Sequence, residues 1–171
     1  MATYYRISSI GDALPKRHAY AEAYEEEHVG DGNFVIRDNT APGAQVWQSA
    51  GQVIAAMGGI MDGVYDAEGG YDRILIIESD GCIDGIGDWV AVTPETVTSI
   101  RSLPVAGLRE EVYGLLEGRD VDGEVVDEDF DLEEYLADEE PEGVAELLLQ
   151  RSEAVPVRWI ETLRMPEWMK K

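Results

Sequence analysis

Between Glu110 and Glu146 the chain is at once strongly acidic and regularly apolar, and few structures satisfy both demands. Seventeen of these 37 residues are Asp or Glu and the only base is Arg119, a local charge near −16 out of −23 for the whole chain. A disordered acidic tail is poor in apolar residues. Here Leu115 and Leu116, then Leu132, Tyr135 and Leu136, then Val144, Leu147 and Leu148 recur at helical spacing. A segment of this kind folds as helices with a buried stripe and a charged outer side. The pattern predicts one helix over 108–117, with Leu108, Val112, Leu115 and Leu116 on one side. It predicts a second over 130–137 and a third that starts near Pro141.

The chain before this stretch reads as an ordinary packed domain. Residues 3–8 (TYYRIS) are rich in strand formers. Residues 15–28 predict a helix: Pro15 suits a first turn, Ala19, Ala21 and Ala23 favour helix, and Tyr20 and Tyr24 share a face. Glu25, Glu26 and Glu27 fall at its far end, where the helix dipole disfavours them. A short strand over 33–37, a loop over 38–43 and a brief strand over 45–47 follow. Ser49 is placed to cap a helix that reaches about Met57, with Val53, Ile54 and Met57 inward. Residues 71–78 (YDRILIIE) carry the strongest strand signal, and their unbroken run from Ile74 to Ile77 implies burial on both faces. Strands over 88–93 and 96–103 come next, joined by short links, and residues 155–163 return as a last strand.

The fold class expected is α+β: a small mixed or antiparallel sheet from 3–8, 33–37, 72–78, 88–93 and 96–103, flanking helices, and an acidic C-terminal helical section. Residues 1–106 form the α+β core. Residues 107–171 form the acidic section, packed on that core by Leu115, Leu116, Tyr135, Leu147 and Leu148 as one cooperative unit.

With 44% hydrophobic residues a real core is within reach. The single cysteine, Cys82, excludes an internal disulfide framework and a multi-cysteine zinc site. No apolar run approaches the roughly 20 residues of a membrane span. The first residues lack the basic-then-apolar layout of a signal peptide, so a cytoplasmic protein is expected. The charge disfavours direct contact with nucleic acid or anionic lipid, whose phosphates require Lys and Arg. It favours cations and basic protein surfaces. Solubility alone is the competing explanation. Three lysines against ten arginines point to a GC-rich or salt-loving source, in which acidity is a general habit.

Rows of carboxylates on a rigid helix can imitate the phosphate spacing of a duplex, about one charge per 1.7 Å of axis. In composition the stretch resembles the DNA-mimic inhibitors that phages use against host restriction and CRISPR enzymes. That resemblance implies a non-enzymatic inhibitor whose partner is a basic protein surface, such as the nucleic-acid groove of a host enzyme. The contact residues it selects are Glu110, Glu111, Glu128, Glu133, Glu134, Asp138, Glu139, Glu140 and Glu142. The alternative is a solvated helical face.

Other motifs compete. Residues 118–129 resemble half of an EF-hand or dockerin-type calcium module. With Gly123 at the sixth loop position, Asp120 and Asp122 fall at the third and fifth, Glu124 at the seventh and Asp129 at the twelfth. The first position is Gly118, which has no carboxylate, and the twelfth is Asp where Glu is usual. Calcium is the one cofactor this reading admits. Asp80-Gly81, Asp84-Gly85 and Asp88 could wrap a cation, but Asp-Gly is also a common hairpin dipeptide. Tyr5-Arg6 on a first strand, and Trp47 and Ser49 before a helix, resemble the layout of toxin-like ADP-ribosyltransferases, which implies an NAD-using enzyme with Arg6 on phosphate. Asp88-Trp89 stands where that family's late Glu would be. His18 and His28, ten residues apart on the expected helix, are too distant for an i,i+4 metal pair.

Overall fold

The computed structural model describes residues 1–8, 13–19, 25–28, 34–37, 40–61, 72–85 and 89–161. Its centre is the apolar run Ile74 to Ile77, as the sequence predicts. These residues lie in β8 (Arg73–Ser79), flanked by β1 (Ala2–Ser8) and β11 (Val97–Pro104), with β14 (Glu153–Val155) at the far edge of β11. All pairings in this four-stranded sheet are antiparallel. Successive side chains on a strand point to opposite faces. Ile74 and Ile76 therefore enter one apolar cluster and Leu75 and Ile77 another. Burial on both faces is what selects an uninterrupted apolar strand rather than an alternating one.

One face is covered by helices. α1 (Ala50–Met61), α2 (Leu108–Leu116), α3 (Leu132–Asp138) and α4 (Val144–Arg151) place Val53, Ile54, Met57, Leu108, Val112, Leu116, Leu132, Leu136, Val144 and Leu148 in a common cluster with Tyr5, Ile7, Ile74, Ile76 and Leu103. Leu115, Tyr135 and Leu147, expected inward, are half-buried against that cluster. Residues on either side of position 106 thus share one continuous core.

The other face is covered by small strands. β7 (Ala44–Val46), β10 (Val90–Val92) and β9 (Ile83–Asp84) form a three-stranded antiparallel sheet. β2 (Ala13–Pro15) runs parallel to β15 (Arg158–Ile160). Leu14, Ala44, Val46 and Val92 close this second cluster over Tyr4, Leu75, Ile77 and Ile100. Tyr5 and Trp47 exchange backbone hydrogen bonds of 2.9 and 2.8 Å and join the two sheets at a corner. Among the described residues three two-stranded ribbons remain: β3 (Arg17–Ala19) with β6 (Thr40–Pro42), β4 (Glu25–His28) with β5 (Phe34–Arg37), and β12 (Asp120–Val121) with β13 (Glu124–Val125).

The fold is α+β, as expected, and five expectations change in detail. The loop over 38–43 contains β6, and the strand over 155–163 is replaced in its described residues by the end of β14 and by β15, which belong to different sheets. The helix over 15–28 is not present in its described residues: β2, β3 and β4 occupy them, because partners outside the segment, remote β15 for β2, β6 for β3 and nearby β5 for β4, supply the backbone hydrogen bonds that a helix would have made internally. The strand near 33–37 pairs with β4 instead of joining the central sheet. The strand near 88–93 does not join the central sheet; it pairs with β7 and, as a hairpin, with the preceding β9.

Candidate functional site

The acidic helices are arranged by how closely α3 lies on α1. Gly51 faces the C-terminal end of α3. A Cβ there would sit 2.5 Å from the Leu136 carbonyl oxygen and 2.6 Å from that of Glu139. At the other end, a Cβ on Gly58 would sit 3.0 Å from Glu133 Cγ. The helices are therefore antiparallel, and glycine lets their backbones touch. Antiparallel packing also sets the negative end of α3 against the positive end of α1. Glu140 completes this contact by accepting the Ala50 N–H at 3.2 Å, while Ser49 Oγ accepts the Gln52 N–H at 3.1 Å. Ser49 caps α1, as its position in the sequence predicts.

Part of the acidity thus holds the fold together. Glu110 and Glu111 lie in the first turn of α2, Glu133 and Glu134 in that of α3, and Glu146 in that of α4, where the helix dipole favours negative charge. Asp131 caps α3 by accepting the Glu134 N–H at 3.1 Å. Glu133 pairs with Arg109, and Glu111 lies 3.5 Å from Arg151. Arg119 donates to the Glu142 carbonyl at 2.8 Å and Arg151 to the Ala106 carbonyl at 3.1 Å. The layer's own cations are thus each engaged by a group of the same chain. Burial pushes the Tyr5 phenol up to about 12, with Glu140 and then Glu146 adding to the effect.

Of the nine residues selected for partner contact, Glu133, Glu111 and Glu140 hold these internal partners. Glu110, Glu128, Glu134, Asp138, Glu139 and Glu142 are exposed. All nine belong to the helical layer or its connections, on one side of the central sheet.

Next to this layer lies a feature the sequence did not disclose. An open groove of about 640 Å³ runs between the strand segments carrying Trp47 and Trp89, the Ala55–Ala56 surface of α1, and the Glu133–Glu134 turn of α3. The two indoles meet edge to face with centroids 4.8 Å apart. The Trp residues are 42 positions apart in the chain, and only the pairing of β7 with β10 brings them together. Two half-buried tryptophans beside polar neighbours were the one available signal.

The other candidates separate. Asp120 to Val125 is a hairpin with a two-residue turn: Asp122 and Gly123 have φ of 53° and 91°, and Asp120 Oδ1 accepts the Gly123 N–H at 2.9 Å. This geometry belongs to a type I′ turn, not to a loop wrapped around an ion. Asp129 donates its N–H to Asp127 Oδ1 at 2.9 Å, one turn further on. Among the described residues no group of three or more His, Cys, Asp or Glu is placed to hold a metal ion. Asp84 sits in the β9–β10 hairpin, opposite Val90, and Asp88 lies outside the described residues. Arg6 Nη1 donates to the Gln45 carbonyl at 2.7 Å. His18 and His28 lie on different ribbons, β3 and β4. Cys82 is exposed; its hydrogen bond to Tyr4 raises the Tyr4 phenol, with burial second. No helix among the described residues is long and apolar enough to cross a membrane.

No protein-family model matches the chain, and no curated protein or solved structure matches it either.

Proposed function

We propose that this is a non-enzymatic, acidic binding protein whose helical layer engages a basic protein surface. In its sharpest form it is a phage-type mimic that occupies the nucleic-acid groove of a host defence enzyme in the cytoplasm. The observation that supports this reading is the division of labour within the layer. Arg109, Arg119 and Arg151 are turned to internal partners, so Glu110, Glu128, Glu134, Asp138, Glu139 and Glu142 are left exposed on a rigid, dipole-oriented scaffold. A fixed array needs no reorganisation on binding, and its field speeds encounter with a positive partner. The mechanism is competitive: carboxylates take the places of phosphates, and the partner's bound anions are released.

The test is displacement of a fluorescent duplex from a panel of restriction and CRISPR enzymes. The expected result is displacement from at least one of them at 50 mM salt that weakens by at least about tenfold at 300 mM, following the salt law of phosphate binding. Changing the six exposed carboxylates to amides is expected to abolish it. Displacement by the six-fold amide variant equal to that of the parent would rule out the reading.

A further inference from the structure

The groove beside α3 has a chemistry of its own. Its lining combines the rings of Trp47 and Trp89, the carboxylates of Glu133 and Glu134, and the methyl groups of Ala55 and Ala56. Among the described residues no Lys or Arg lines it. Glu133 is already engaged by Arg109, so the chain itself shows which group this wall accepts. Glu134, its neighbour, is exposed.

Each class of occupant can be weighed against that lining. An anion meets the negative wall and is repelled. A neutral apolar group covers the indoles but strips water from Glu134 without replacing it. An ammonium pairs with the carboxylate but is compact and strongly hydrated, and gains little from the rings. A guanidinium does both: its plane stacks on an indole, and its fork pairs with a carboxylate. The volume exceeds that of one side chain and the groove is open, so its occupant is a side chain still attached to a chain. α3 carries both the wall and the exposed Asp138 and Glu139, so the groove is continuous with the acidic face.

We infer that this groove is the anchor site for an arginine of a basic protein partner, with the guanidinium held between the Trp47–Trp89 pair and Glu134. The inference rests on the reading of the helical layer as a binding face and adds what gives that face selectivity. Charge alone attracts lysine and arginine equally; the groove separates them.

The experiment uses the full chain with nona-arginine and nona-lysine peptides of equal charge, at 50 mM and 150 mM NaCl. Binding is read by calorimetry and by the indole N–H resonances of the protein. Nona-arginine is expected to bind at least about fivefold tighter than nona-lysine and to shift two indole signals. Glu134→Gln and Trp89→Ala are each expected to erase that preference and those shifts. Glu134 is exposed, so its variant tests the site even if loss of Trp89 disturbs folding. Amide variants at Glu110, Glu128 and Glu142 are expected to weaken both peptides alike and leave the preference intact. Equal affinities, still indoles and a binding loss confined to the Glu110, Glu128 and Glu142 variants would overturn the groove and leave the acidic face standing. Binding of neither peptide at 50 mM would overturn both.

Discussion

Gln45 is the residue whose chemistry fits its place least well. It lies in β7 at 1% exposure, with the amide nitrogen and oxygen both lacking a hydrogen-bond partner among the described residues. Its backbone is engaged: the carbonyl accepts from Arg6, and the residue sits opposite Ala91 in the β7–β10 ladder. Its side chain lies over Gly85, where a Cβ would come within 3.0 Å of the amide nitrogen. An unsatisfied buried amide costs about 1–3 kcal/mol, whereas an apolar side chain of similar volume gains from the same burial. Gln45→Met is therefore expected to stabilise the fold by about 1–2 kcal/mol, seen as a rise of roughly 3–6 °C in the thermal midpoint. A lower midpoint would show that the amide is satisfied in solution. Nothing in the local sequence marks this position as buried. Ala44 and Val46 on either side read as a short strand, but the covering layer comes from β10 and β9, far along the chain.

The α1–α3 contact shows, at the scale of elements, what was legible and what was not. Ser49 before Val53, Ile54 and Met57 marks α1 from its start, because capping and apolar spacing are local properties. The helices of the acidic section are marked in the same way. The helix expected over 15–28 rested on equally local signals, Pro15 and the alanines; Ala21 and Ala23 lie outside the described residues, and at Pro15 and Ala19 strand pairing overrides the signal. Pro15 is the last residue of β2, and its partner Ile160 is 145 positions away. The contact itself rests on Gly51, which as a residue in a helix reads only as a weak point. Its role is close approach: a methyl group would press on two carbonyl oxygens of α3 at once, both of them backbone atoms. Gly51→Ala would gain about 1 kcal/mol in an isolated helix. Here it is expected to cost about 2–4 kcal/mol, since α3 must move off α1 and give up core contact. Urea denaturation of the pair of proteins checks the sign, and a gain in stability would mean that helix propensity at this position outweighs the close approach. The groove was invisible for a related reason. Its parts lie on four separated segments, and no single one of them is unusual.

At the scale of the whole molecule, two electrostatic effects of opposite sign meet in the helical layer. Carboxylates in the first turns of α2, α3 and α4 stabilise each helix by about 0.3–1 kcal/mol, or about 1–3 kcal/mol for the three. Against this stands mutual repulsion among seventeen carboxylates with one neighbouring arginine in the same stretch. Two charges 10 Å apart in water repel by about 0.4 kcal/mol, so about eight pairs near that separation match the largest dipole gain. Repulsion therefore exceeds the dipole gain, and salt, which screens both, is expected to stabilise the protein. Raising NaCl from 10 mM to 500 mM is expected to lift the thermal midpoint by at least about 5 °C, roughly 2 kcal/mol for a chain of this length. The variant with the six exposed carboxylates changed to amides is expected to start with a higher midpoint at 10 mM and to respond to salt by less than half as much. A midpoint that falls with added salt would mean that the charges attract within the fold, through pairs such as Arg109 with Glu133, and that the layer has little free negative charge to offer a partner. If the midpoint rises and the amide variant is the more stable protein, the carboxylates are kept at a cost to folding. That outcome would favour the proposed contact with something positive over hydration alone.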